Sequence, residues 1–198
     1  MSTRTLGEAV EQAIAGGCTL VQLREKEISS LDFYVLASEM KKITDRYGIP
    51  LIINDRIDIA MAVGAAGVHI GQKDIPADIA RKVIGNDMLL GVSVSSVGEA
   101  IDAVRAGADY LGVGAMFPTG TKPDAGFVSM QELGKIRRTV DIPIVVIGGI
   151  SKENAMLFQP VGIDGLAVIS AVIAQPDIKN AAADLKSLFF GKEAVNEL

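Results

Sequence analysis

Several short apolar runs of this 198-residue chain end in residues able to handle an anion or a divalent cation. The first, residues 19–23, runs into Gln22-Leu23-Arg24-Glu25-Lys26. At the period of two of a strand, Val21 and Leu23 share one face, while Gln22, Arg24 and Lys26 share the other. With the apolar pair packed away, two cations project from the strand end and would hold an anion. The alternative is a strand fraying into a solvated charged loop. Two further runs end in Asn54-Asp55 and in His69-Ile70-Gly71-Gln72-Lys73-Asp74. If these are adjacent parallel strands, ~4.8 Å apart, Asp55 and Asp74 could reach one Mg²⁺, which takes a few carboxylates plus water and phosphate oxygens. A helix N-cap at Asp55 and a turn residue at Asp74 is the competing reading. His69, in mid-run, reads as a packed, hydrogen-bonded core histidine rather than a catalytic one.

A fourth constellation follows the run 110–113. Gly112 and Gly114 share a face with Tyr110, which leaves the interior open there. The chain continues into Thr119-Gly120-Thr121-Lys122, whose two hydroxyls, glycine and lysine suit a phosphate cradle. The Walker spacing is absent, and a flexible polar loop fits as well. Two more runs end in Ile147-Gly148-Gly149-Ile150-Ser151 and Ile169-Ser170-Ala171. Glycines there let backbone N–H groups approach an anion, and following helix N-termini add a favourable dipole; tight strand-to-helix turning is the alternative. Together, two anion sites and a Mg²⁺ fit a diphosphate leaving group facing a phosphorylated acceptor.

These residues need a scaffold that brings strand ends together, and the glycines supply its signature. Twenty-one of 198 residues are glycine, above the usual ~7%. Gly17, Gly67, Gly107 and Gly162 each end a helical pattern just before an apolar run. Thr5 with Glu8, Ser96 with Glu99, and Ser129 with Glu132 have capping-box spacing at helix starts. Leu6, Val10, Ala13 and Ile14 repeat at helical period, as do Leu31, Val35 and Ser38. Seven strands are expected, at 19–23, 51–53, 68–70, 88–92, 110–113, 144–147 and 165–169, each followed by a helix or a helix-sized segment. Strands alternating with helices imply parallel βα units, and a (β/α)₈ barrel is the nearest closed architecture. No G-x-G-x-x-G follows a strand, which argues against an open dinucleotide-binding sheet.

Composition narrows the class further. The formal charge of −5 argues against non-specific nucleic-acid binding. One cysteine and one histidine exclude an internal disulfide, a multi-cysteine metal site and a poly-His zinc site. The apolar runs fall short of the ~18 residues of a membrane span, and the start lacks an apolar signal core, so a cytoplasmic enzyme is expected.

In order and spacing, Gln22-Leu23-Arg24-Glu25-Lys26, Asn54-Asp55, the 69–74 segment, Gly91-Val92-Ser93, residues 118–122, Gly148-Gly149-Ile150 and Ile169-Ser170 resemble the thiamine-phosphate synthase (thiamine-phosphate pyrophosphorylase) family. The resemblance spans about residues 6–174. It implies a transferase joining 4-amino-5-hydroxymethyl-2-methylpyrimidine diphosphate to a thiazole phosphate, through a pyrimidine-methyl cation captured by the thiazole nitrogen. By the same resemblance Gln22, Leu23, Arg24, Glu25, Lys26, Asn54, Ser93 and Lys122 hold the pyrimidine diphosphate. Of these, Arg24, Lys26, Ser93 and Lys122 are its catalytic group. Asp55 and Asp74 ligate Mg²⁺, and Thr119, Gly120, Thr121, Gly149, Ile169 and Ser170 hold the thiazole phosphate. The resemblance also implies small-molecule partners and a homodimer.

Two departures stand out. Ser95 lies where the family often has histidine, and the family's first strand, an apolar run ending in Thr-Asp, has no counterpart before Thr5. The expectation is therefore one domain over 1–198, a barrel beginning at the family's second strand. A related thiazole tautomerase is an alternative, but it uses a histidine where this chain has Ala115-Met116. A Schiff-base aldolase needs a lysine inside a strand, and none of the seven has one. The remaining alternative is an incomplete barrel, inactive or completed by a partner, because a missing strand exposes two edges.

Overall fold

Helix, glycine turn and parallel strand recur along the chain, and the recurrence builds the sheet. The structure is a computed structural model that describes residues 5–118 and 126–191. Its strands are β1 (Val21–Leu23), β2 (Leu51–Asn54), β3 (Gly67–Ile70), β4 (Leu89–Val94), β5 (Tyr110–Val113), β6 (Ile144–Ile147) and β7 (Gly165–Ala167). The helices are α1 (Leu6–Ala15), α2 (Ser30–Arg46), α3 (Ile57–Val63), α4 (Ala77–Ile84), α5 (Val97–Arg105), α6 (Met130–Thr139) and α7 (Ile178–Phe190). The seven strands pair in sequence order and all in parallel, the α/β architecture of a TIM-type barrel. All seven expected strands are present, the first starting at Val21 and the last ending at Ala167.

Helix starts follow the caps read from sequence. Thr5 and Glu8 form a complete reciprocal box. Ser96 and Ser129 each accept from the third residue on, but the returning glutamates are used elsewhere. Glu99 takes the Ser95 backbone N–H, and Glu132 takes the Val97 N–H, tying α6 to the start of α5. At the end of α3 the left-handed cap is Gly64, not Gly67. Gly67 lies inside β3, where a Cβ would stand 2.3 Å from the Leu89 carbonyl oxygen, so it serves close strand approach instead.

Strand alternation sorts two environments. Leu23, Leu51, Ile53, Val68, Ile70, Leu90, Val92, Leu111, Val113, Ile144 and Val146 form a continuous core with the helices. Each such side chain contributes about 1.5–3 kcal/mol when fully buried. Their alternates face the interior and include small or polar residues, Gln22, Asn54, His69, Gly91, Ser93, Tyr110 and Gly112, beside the apolar Ile52. In α2 the buried stripe is Phe33, Ala37 and Met40, whereas Leu31 and Val35 are exposed. Helical period located the helix there without choosing its inner face.

Helix α1 packs on α7, sharing a second apolar cluster of Ala9, Ala13, Ile178, Ala182 and Leu185. Among the described residues β1 and β7 each pair with one neighbour only, so the sheet has two edges. No helix among these residues is long and apolar enough to cross a membrane.

Candidate active site

The C-terminal ends of β1, β2, β3 and β4 gather the residues singled out for chemistry. Leu23 is buried in the helix-facing core, so the alternation holds, and only its backbone is available at the rim. Gln22 and Glu25 are exposed, and Arg24 is half-buried. Among the described residues the buried Arg24 Nε has no hydrogen-bond partner. A guanidinium N–H withdrawn from water and left unpaired is costly unless an anion completes it.

Lys26 reaches across to β2, with its Nζ 3.1 Å from Asp55 Oδ2. Asp55 has φ +61°, the left-handed region that aspartate tolerates better than most residues. Its N–H donates to the His69 carbonyl at 2.8 Å, carrying the β2–β3 ladder one residue past Asn54 before the backbone turns. No side-chain cap forms at the start of α3, whose N-cap is Arg56, so the reading of Asp55 as a helix cap fails. Asp74 closes a tight turn: its carboxylate accepts the Gly71 N–H at 2.7 Å, and its own N–H donates to the Gly71 carbonyl. The turn reading is thus correct for Asp74, yet the turn also brings the carboxyl to Asp55. Burial, then the neighbouring Asp55, pushes the Asp74 carboxyl above its ordinary range, while Lys26 pulls it the other way. Two carboxylates held together at the cost of mutual repulsion are a donor set suited to Mg²⁺, which needs few protein ligands when phosphate oxygens supply others.

Further into the barrel lies a polar floor. His69 is buried, and its Nδ1 is 3.0 Å from the Tyr110 hydroxyl. Its Nε2 is 2.9 Å from Ser93 Oγ. The packed, hydrogen-bonded histidine expected from sequence is present, but the open space expected above Gly112 is not. A Cβ on Gly112 would lie 2.9 Å from the His69 ring. Gln72 donates to the Ser93 carbonyl at 2.8 Å, fastening β4 beneath the 71–74 turn. Asn54 is buried beside His69 in the strand register.

The second anion site is only partly described. Thr119, Gly120, Thr121 and Lys122 lie outside the described residues. Gly149, at φ +65°, packs against the segment before them: a Cβ there would meet Phe117 Cβ and the Pro118 carbonyl oxygen at 2.7 Å. Ile169 is half exposed and Ser170 is exposed. The helix N-termini expected directly after these strands are absent. A seven-residue 3₁₀ helix, Ala155–Val161 with Pro160 inside it, follows β6, and α7 begins only at Ile178, capped by Asp177.

The chain matches the family model described as thiamine monophosphate synthase over residues 1–172. The chain belongs to this family. A thiamine-phosphate synthase of Clostridium beijerinckii is 66% identical over 189 residues, covering 96% of this chain and 90% of the relative. That of Ruminiclostridium cellulolyticum is 62% identical over 192 residues, covering 97% and 91%. The solved thiamine phosphate pyrophosphorylase of Pyrococcus furiosus superposes with a TM-score of 0.88 at 38% identity, covering 94% and 90%. As a member of the thiamine monophosphate synthase family, the chain is a transferase that forms thiamine phosphate. His69, Tyr110 and Gln72 have no site role among the expectations from sequence; a histidine inside an apolar strand run was the signal available for the first of them.

Proposed function

We propose that this enzyme joins 4-amino-5-hydroxymethyl-2-methylpyrimidine diphosphate to thiazole phosphate, with Mg²⁺, by prior ionisation of the pyrimidine-methyl C–O bond. The observation that carries the reading is the buried Nε of Arg24, unpartnered among the described residues, at the rim that also holds the Lys26–Asp55–Asp74 cluster. Negative charge grows on the leaving diphosphate as the bond breaks. Cations already fixed at the strand end stabilise that state more than the bound substrate, which is the condition for lowering the barrier. Arg24 and Lys26 supply those cations, and Ser93, Gln22 and Asn54 orient the pyrimidine. Asp55 and Asp74 would hold Mg²⁺, which would neutralise diphosphate charge. Lys122 joins the first group by resemblance, and Thr119, Gly120, Thr121, Gly149, Ile169 and Ser170 receive the thiazole phosphate. No general base is needed, in keeping with a single histidine.

The tautomerase alternative finds only buried, apolar Ala115 and Met116 where its histidine would be. The inactive-barrel reading draws on β1 and β7, each of which pairs with one neighbour only among the described residues. The test is to supply both substrates with Mg²⁺ and follow thiamine phosphate and diphosphate together. Stoichiometric appearance of both, abolished by a chelator and restored by Mg²⁺, is expected. Turnover indifferent to the chelator would remove Mg²⁺ from the scheme. Binding of both substrates with no turnover would overturn the proposal in favour of the inactive barrel.

A further inference from the structure

The interior polar residues Tyr110 on β5, His69 on β3 and Ser93 on β4 form a single line across three strands. The room for it is carved by glycine. A Cβ on Gly91 would fall 2.2 Å from the Tyr110 ring and 2.4 Å from His69 Nδ1. The two rings lie tilted with centroids 5.4 Å apart, in contact over that gap.

Each group in the line has a limited set of protons, and that limit sets a direction. A neutral imidazole has one acceptor nitrogen, and of the two hydroxyls flanking the His69 ring the phenol of Tyr110 is the stronger donor, so it claims that nitrogen. Burial keeps the phenol protonated by raising its pKa. The Tyr110 hydroxyl then has one proton to give and His69 Nδ1 to receive it. With Nδ1 accepting, a neutral imidazole carries its proton on Nε2 and donates to Ser93 Oγ. The serine, accepting from behind, turns its own proton forward.

We propose that His69 and Tyr110 are positioning residues that fix Ser93 as a hydrogen-bond donor toward an acceptor atom of the bound pyrimidine diphosphate. The assignment rests on the reading of Ser93 as a substrate-binding residue given above. Without the line, a serine beside an imidazole can equally give its proton to the ring and present only lone pairs to the substrate. The Gln72 bond to the Ser93 carbonyl holds the backbone, so the histidine has only the hydroxyl to orient.

His69 is the single histidine of the chain, so its tautomer can be read without assignment from the two imidazole ¹⁵N resonances of the uniformly labelled protein at neutral pH. The expected spectrum shows Nδ1 unprotonated and Nε2 protonated; a protonated Nδ1 overturns the proposal whether or not the protein turns over substrate. Tyr110→Phe keeps the ring and removes the donor. It should lose the fixed tautomer and lower kcat by about three- to tenfold, the size of one neutral hydrogen bond, with an unchanged melting temperature. Because Tyr110 acts through Ser93, Tyr110→Phe should add nothing further in a Ser93→Ala background. Additive losses in that double-mutant cycle would show that Tyr110 acts elsewhere and would overturn the assignment.

Discussion

At the N-terminal rim of the sheet, Arg81 donates to the carbonyls of Gly85, Met88 and Gly107 and pairs with Asp109. Asp109 also accepts the Leu90 N–H at 2.7 Å, finishing the ladder at the base of β4. The same device recurs two strands on: Asp164 accepts the Ile144 N–H at 2.8 Å and pairs with Arg137, which also donates to the Val140 carbonyl. Both aspartates directly precede a strand, in the segments Ala106-Gly107-Ala108-Asp109 and Val161-Gly162-Ile163-Asp164. At the C-terminal rim the same residue types are left unresolved. Arg24 has a buried nitrogen with no partner among the described residues, and Asp74 is pressed against Asp55. Asp55 sits in a left-handed conformation. One end of the barrel satisfies its charges internally and stabilises the fold, while the other keeps them available for a ligand. Such local cost at one rim is what a binding site requires.

The contrast is broken or sharpened by substitution at each rim. Arg24→Ala should lower kcat by about a hundred- to a thousandfold, the range for removing a preorganised charge-stabilising donor, with no loss of melting temperature. Arg81→Ala should do the reverse, costing about 2–4 kcal/mol in urea unfolding while kcat per folded molecule is unchanged. If Arg81→Ala reduced kcat as far as Arg24→Ala, the division between the rims would be lost. Asp164→Ala should cost about 1–3 kcal/mol by stranding the Ile144 N–H, with kcat again unaffected. Asp55→Asn is the subtlest case. Asparagine accepts the left-handed backbone, so thermal stability should stay within about 0.5 kcal/mol, whereas dependence on Mg²⁺ concentration should shift to higher values. A large stability loss there would mean that Asp55 belongs with the structural aspartates.

The fold was largely legible because its signals are local. Capping at Thr5, Ser96 and Ser129, glycine turns and short apolar runs placed every strand, with shifts of at most two residues at their ends. The alternation around Leu23 put Arg24 and Lys26 on the side away from the helix-facing core. Where a feature depended on what lies opposite, the reading ran out. The exposed stripe of α2 was as apolar as its buried one. The cap thought to be Gly67 belonged to Gly64. The helix dipoles expected behind Gly149 and Ser170 were displaced by a 3₁₀ helix and a turn.

Residue types and spacing by themselves determined a parallel βα repeat with cations and carboxylates at strand ends, because period and turn chemistry are properties of neighbouring residues. Which charges meet was decided by the tertiary structure. Lys26 finds Asp55, Asp55 finds Asp74, and His69 joins Tyr110 to Ser93 only when parallel strands bring positions 19 to 41 residues apart into register. The sequence carries no local mark of that register. Hydrogen bonding between strand backbones sets it, and the side chains that meet across it follow.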